Sequence, residues 1–358
     1  MPFLSYAAAD HNPIVPKEIF EAEGHLKNTI VGSGPFQLDL SASQKGTRWT
    51  WKKNSNYWAA GKPYLDQIQW FVLPEDATAY AAFQTKQVDV LGNVGGIKTA
   101  KEVERLAPGA VKHELEAPFP RDIFLRLDRA PLSDVRVRKA IDLALDRDEA
   151  LKVFQEGRGG WTTPGVLAGF FTQEEIRQMH PYDPERAKRL LAEAGHPNGL
   201  DLEMTYPSVA KEELVAEHQL VQAQLKKAGI NVILKPIDPA AYSTLRKEGR
   251  FTINVMSGAD ARWDADFPMT KFHPKAKSNY YGVNDPDLTK LVEGQRAEVD
   301  PPKRRELVRQ AGRLIADRAY GSAWYALVEY HFWQPHLKNF APNWNRSGDD
   351  FSQAWLER

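Results

Sequence analysis

The stretch from Leu200 to Gly258 does most to limit the fold, because it alternates strand and helix patterns without a break. "LDLEMTYP" reads as a strand and "KEELVAEHQLVQAQLKKAG" as an amphipathic helix ending at Gly229. "INVILKPI" is a second strand, "PAAYSTLRKEG" a helix ending at Gly249, and "FTINVMSG" a third strand. Strands joined through a helix have the long crossover that parallel pairing requires, and such crossovers are right-handed. This part of the chain is therefore expected to be a parallel α/β layer.

The flanking segments are mixed. "GPFQLDLS" and "TRWTWKKN" alternate and are aromatic, as paired strands around a polar turn do. "LDQIQWFVLP" is a strand closed by Pro74. "EDATAYAAFQTKQVDVLG" reads as a helix with Ala79, Ala82 and Phe83 on its apolar side, then a short strand over 88–91. "FPRDIFLRLDRAPLS" should be extended. "SDVRVRKAIDLALDRDEALKVFQ" reads as one helix, capped by Ser133 or Asp134, with Val137, Ile141, Ala144, Leu145 and Leu151 on one stripe. "EGRGGWTTPGVLAGF" is a Gly- and Pro-rich loop. In "DPERAKRLLAEAGHPNG", Asp183 caps a helix, Pro184 occupies its first turn and Gly195 stops it. Two more helices follow residue 283, the second starting at Asp300–Pro301, and the aromatic "GSAWYALVEYHFWQPHLKNFAPN" is expected to return to the first block as a strand.

Composition narrows the chemistry. With 358 residues the chain can form two lobes. Lys plus Arg and Asp plus Glu are balanced at 47 each, so no net field favours nucleic acid or an anionic membrane. No apolar run reaches the ~20 residues of a membrane helix. "MPFLSYAAADH" lacks the basic and long apolar regions of a secretory leader. Cysteine is absent, which removes disulfides, thiolate catalysis and Cys-based metal sites. The nine His are scattered, with no HExxH, and no metal or cofactor is expected, while a metal chelate held through its organic ligand stays open as a solute. "GSGPF" has neither a third Gly nor a Lys, so it is a strand-to-strand corner at Gly34–Pro35 and not a phosphate loop. No G-x-S-x-G elbow supports a Ser-His-Asp triad. The ten Trp fill cores or line a cleft.

Four collinear passages resemble the substrate-binding proteins of ABC importers, in the oligopeptide/dipeptide/nickel-binding family (family 5). They are "VGSGPFQL" with "WTWKKNSNYWAAGKPYLDQIQWFVLPEDATAYAAFQTKQVDVLG", then "PLSDVRVRKAIDLALDRD", "YDPERAKRLLAEAG" and "NDPDLTKLVEGQRAEVDPPKRRELVRQAGRLIAD". The resemblance implies an α/β, two-lobed, periplasmic-binding-protein-like fold of type II, in the cluster with an extra domain. It places residues 1–120 in the remaining part of lobe one, 121–325 in lobe two, and 326–358 in a return to lobe one. The sequence resembles the family from its middle onward, so the early part of lobe one and the small inserted domain are expected to be missing. The implied function is non-catalytic: capture of a short peptide or similar small polar solute between lobes, and delivery to a membrane permease. A monomer is expected, in a periplasmic or extracellular setting.

The resemblance also nominates residues. "FTINVMSGADARWDADFP" stands where members carry a "G-W-x-[AG]-D" phrase, so Trp263 and Asp266 match its Trp and Asp. In peptide-binding members the matching Asp receives the α-ammonium. Arg262, between the acids Asp260 and Asp264, makes the loop zwitterionic. The alternative is a solvated turn that Asp266 caps. Trp161 in the Gly-rich loop either stacks on a ligand or anchors the loop to its own lobe. Tyr280 lines a wall, or it or Tyr281 is core. Asp128 stands where members often carry Asn; it either senses a cationic ligand or pairs with Arg126 or Arg129. Arg121 and Arg126 are candidates for a ligand carboxylate or for structural ion pairs. Two other functions stay open: a glycoside hydrolase with a Trp-lined carboxylate cleft, and a non-transport peptide sensor or chaperone on the same scaffold.

Overall fold

Asp–Pro pairs start four of the helices, and each does so by the same device. Asp183, Asp238, Asp285 and Asp300 precede helices Pro184–Glu193, Pro239–Lys247, Pro286–Ala297 and Pro301–Asp317, and each carboxylate accepts from a backbone N–H of the first turn. The proline lacks only an N–H that would be unsatisfied there, while the carboxylate satisfies another and complements the helix dipole.

The computed structural model describes residues 16–24, 32–92, 94–167, 169–210, 212–257, 264–343 and 350–357. The chain divides into two compact units, one holding Ala117–Leu327, the other the described residues up to Glu116 and from Val328 on.

In the second of these units, helix Lys17–Glu23 is followed by β1 (Phe36–Gln44), β2 (Arg48–Lys53) and β3 (Gln67–Phe71). These form an antiparallel sheet with Leu38 opposite Trp51 and Trp49 opposite Trp70. Helix Asp76–Gln84, β4 (Val90–Leu91) and helix Ile97–Leu106 lead into β5 (Val111–Leu125). Phe83, Ile97, Ala100 and Val103 bury together with Val328, Tyr330 and Phe332. As the aromatic pattern suggested, the end of the terminal long strand pairs with β4, Trp333 opposite Val90 and Phe332 opposite Leu91.

The larger unit is built on the alternating stretch. β6 (Leu200–Pro207), β7 (Ile230–Ile237) and β8 (Ile253–Ser257) are parallel, with β6 between the other two, and β5 adds antiparallel to β8. The sheet is therefore mixed, and the parallel expectation holds for its three βα-linked strands. Helix Glu212–Lys227 joins β6 to β7 and buries Glu217, His218, Val221, Gln224 and Leu225, a stripe at helical spacing. β9 (Ser322–Trp333) contributes Trp324 and Tyr325 to the same core. The remaining strands, β10 (Leu337–Lys338) and β11 (Trp355–Leu356), pair with each other in the other unit.

One expected helix is two. Helix Val135–Ala144 ends at Leu145, which is extended, and helix Arg147–Gln155 restarts with Asp146 as its cap, accepting from the Glu149 N–H. The reason is Arg147, whose fully buried guanidinium binds the Asp142 carboxylate and the Ala323 carbonyl of β9. A straight helix would not serve those partners and the Asp146 cap together.

Gly199 leads into β6 with φ +88°, and a Cβ there would stand 2.3 Å from the carbonyl oxygen of Gly229. That neighbour is backbone, so it cannot rotate away. Gly199→Ala is expected to lower stability by about 2 kcal/mol or more, read as a shift in the urea unfolding midpoint; an unchanged midpoint would show that the backbones at 199 and 229 separate freely.

Candidate functional site

Polar side chains gather where the parallel strands of the larger unit end. β6 and β8 run in the same direction, and β5 runs against β8, so Pro207, Ser257 and the Arg121–Asp122 start of the paired part of β5 share one end of the sheet. Ligands of open α/β sheets bind beyond the carboxyl ends of strands. The chain leaves β8 at this end.

On one side of the sheet, Arg121 reaches Glu217 of helix Glu212–Lys227, Nε to Oε1 at 2.8 Å, and the Tyr325 hydroxyl donates to the same oxygen. Burial pushes the Glu217 carboxyl up, while Arg121 draws it down. Arg121 is thus engaged in a structural ion pair.

The other side holds Asp122 and Asn254, both buried, two register steps apart on β5 and β8. Thr205 of β6 lies one step along from the Met204–Ile253 pair, level with Asn254. Asp122 Oδ1, Asn254 Nδ2 and Thr205 Oγ1 are all buried without a hydrogen-bond partner among the described residues, whereas Asn254 Oδ1 accepts from the Tyr242 hydroxyl. Desolvation pushes Asp122 up to about 7, against the pull of Lys271. Below that value it carries a proton; above it, it is a carboxylate ready to accept a cation or donor. Sequence reasoning missed this group. Its one signal was an acid inside the otherwise apolar "DIFL" run of an extended segment.

The nominated residues fall in several places. Trp263 and Arg262, with Asp260, lie outside the described residues. Asp266 begins the short helix Asp266–Thr270 and is buried. Its Oδ1 accepts from Gln295 Nε2 at 2.7 Å and from Arg296 Nε at 2.5 Å. Beside it Asp264 holds Arg304 through both oxygens, at 3.0 and 2.6 Å, and also accepts from the Asp266 N–H. The end of the candidate loop is therefore a carboxylate pair crossed by two arginines. An ammonium arriving here would join an existing charge network.

Trp161 is buried in the core of the larger unit. Its indole N–H donates to Asp148 Oδ1 at 2.8 Å, the Arg177 guanidinium lies 4.2 Å from its ring centre, and Gln173 brackets its backbone. That is the geometry of a loop anchor.

Asp128 and Tyr280 come together around Arg126. Asp128 binds it through both oxygens, at 2.7 and 2.6 Å, and the Tyr280 carbonyl accepts from its Nη1 at 3.1 Å. The Arg126 hydrogen bonds hold Asp128 below the usual carboxylate range. A Cβ at Gly249, φ +62°, would stand 2.3 Å from Arg126 Nη1, so glycine there leaves room for this clamp. Tyr280 is half-buried, while Tyr281 is core, stacked between Phe124 and Phe272 at 4.8 and 4.6 Å.

Among the described residues, no three His, Asp or Glu side chains converge as metal ligands, and no helix is long and apolar enough to cross a membrane.

Known proteins align over most of the chain. It is 27% identical over 335 residues to the dipeptide-binding protein of Escherichia coli (strain K12), covering 89% of this chain and 61% of that protein. It is 25% identical over 307 residues to heme-binding protein A of Haemophilus influenzae, covering 82% and 54% respectively. The chain thus spans roughly three fifths of the length of these relatives. Among solved structures, the ABC transporter-associated periplasmic binding protein DppA from Helicobacter pylori, in complex with peptide STSA, matches with a TM-score of 0.80 at 21% identity, over 100% of this chain and 70% of that one. That likeness shows the α/β fold of the periplasmic binding proteins. The family profile matches residues 1–280, and the chain belongs to the bacterial extracellular solute-binding proteins, family 5 (Middle).

Proposed function

We propose that this protein is the solute-binding component of an ABC importer, without catalytic role, which captures a short peptide or similar small polar solute and hands it to a membrane permease. The observation that carries this reading is the alignment with a dipeptide-binding protein over 89% of the chain. The buried polar groups Asp122, Asn254 and Thr205 support it, since they offer hydrogen-bonding capacity to a polar solute. Capture works by differential affinity: the ligand stabilises the state that binds it more tightly, and that state is presented to the permease. The protein is read as a monomer, outside the cytoplasmic membrane, with no nucleic-acid partner.

Within this reading Asp266 receives the ligand ammonium, while Trp263 and Arg262 of the same loop contact other parts of the ligand and Tyr280 forms a wall. Asp266→Asn keeps the acceptor that Gln295 uses and removes the charge. Titration calorimetry with the dipeptide Ala-Ala and the tetrapeptide Ser-Thr-Ser-Ala is expected to show saturable binding, weakened about tenfold or more in the variant. Equal affinity would remove Asp266 from the site. No saturable binding of either peptide by the unaltered protein would overturn the peptide reading.

A further inference from the structure

Asn198–Gly199 is the only Asn–Gly pair in the chain, and every other Asn is followed by a residue with a side chain. Helix Pro184–Glu193 ends before Gly195, φ +93°, and the chain then turns over His196, Pro197, Asn198 and Gly199 before β6 begins at Leu200. One hydrogen bond closes the turn, from the Gly199 N–H to the His196 carbonyl at 3.1 Å. Asn198 is exposed at the third position, behind a proline at the second, where turns favour it. Gly199 has no Cβ to shield its nitrogen from the neighbouring carboxamide. Exposed turns held by so little are the parts of a fold that open locally at small cost.

We infer that Asn198 is a site of spontaneous covalent modification, deamidation to aspartate and isoaspartate, reached each time this turn opens. Once the Gly199 N–H leaves His196, its nitrogen gives up the proton to solvent base and bonds to Asn198 Cγ. The Cγ–Nδ2 bond breaks, and Nδ2 leaves as ammonia with a proton taken from water. The product is a five-membered cyclic imide. Water then opens either of its C–N bonds. Opening at Cγ gives aspartate at position 198. Opening at the backbone carbonyl gives isoaspartate, whose main chain runs through Cβ and is longer by one methylene. The net exchange is one water taken up and one ammonia lost. Gly199 passes so close to Gly229 that a Cβ would stand 2.3 Å from its carbonyl oxygen. That oxygen also accepts from the Leu200 N–H at 3.1 Å, where β6 and β7 begin to pair. A backbone lengthened immediately before this contact displaces the first rung of the pairing. The inference is independent of which solute is bound.

The test is ageing of the folded chain at pH 8, followed by mass-spectrometric mapping of the peptide that trypsin releases between Arg189 and Lys211. That peptide is expected to gain the mass of an acid exchanged for an amide and to elute as two species, aspartate and isoaspartate. Conversion should slow at pH 6, because the attacking nitrogen must lose its proton. It should be roughly fivefold slower in the folded chain than in the free synthetic peptide, because one hydrogen bond must open first. The urea midpoint of the aged chain should fall, whereas Asn198→Gln, whose extra methylene disfavours the five-membered ring, should keep both its amide and its midpoint. A folded chain that stays unconverted while the free peptide is spent overturns the inference, as does conversion that starts at another asparagine. An aged midpoint that stays unchanged, or falls equally in Asn198→Gln, overturns the link to β6.

Discussion

Asp122→Asn is expected to stabilise the larger unit at pH 8 and to leave it almost unchanged at pH 4. Asp122 is buried, one carboxylate oxygen has no partner among the described residues, and desolvation lifts its pKa from 3.8 to about 7. A folded-state pKa above the unfolded value means that the folded protein holds the proton more tightly. The stability this provides is whole below about 4, declines through the interval between 4 and 7, and is gone above it. A shift of about three units corresponds to about 4 kcal/mol at most, since one unit is about 1.4 kcal/mol. Asparagine resembles the protonated acid, so it escapes the high-pH cost. Urea unfolding of both proteins across this interval reads the difference directly. A variant no more stable than the parent at pH 8 would mean that water or a bound cation serves the carboxylate.

Arg147→Ala should be the most damaging of these substitutions. The guanidinium is 0% exposed and binds Asp142 Oδ1 at 2.5 Å and the Ala323 carbonyl at 2.8 Å. The other Asp142 oxygen meets His180 Nδ1 at 2.9 Å, and His180 Nε2 meets Thr163 at 3.0 Å. Burial alone would raise the Asp142 pKa, yet Arg147 and His180 hold it well below the carboxylate range. Removing the arginine leaves a buried charge without its main partner, a loss of about 3–5 kcal/mol. Asp142→Asn combined with Arg147→Met should cost less than the single Arg147 change, because no orphan charge remains. If thermal unfolding shows the two effects simply adding, the residues do not act as a unit.

Much of the fold could be read from local chemistry. The Asp–Pro starts at 183, 238, 285 and 300 and the glycine stops at 229 and 249 act on their own neighbours, so a single sequence exposes them. The break at Leu145–Asp146 was hidden because its cause is distant: the carbonyl of Ala323 is 176 residues from Arg147. The candidate site was less legible for the same reason. Asp122 in an extended run looks like a solvent-facing acid until β8 and Tyr281 are placed around it. Asp266 could be picked out as an acid after a strand, but its partners Gln295 and Arg296 lie on a later helix. Trp161 admitted two readings because nothing local reveals that Asp148 and Arg177 would converge on its indole. The pairing of Asp128 with Arg126, two residues apart, was within reach of the sequence and is what the structure contains.

The unequal placement of the tryptophans has a spectroscopic consequence. Trp161 and Trp324 are enclosed in the larger unit, whereas Trp49, Trp51, Trp58 and Trp70 sit partly or largely in water in the other. Emission excited at the indole band therefore combines a blue component from one unit with a red component from the other. During denaturation the spectral maximum follows chiefly the enclosed pair, and external quenchers such as acrylamide report chiefly on the solvated group. The two readouts, taken on one unlabelled sample, separate the melting of the units, and a protein that unfolds as a single cooperative body would make them coincide.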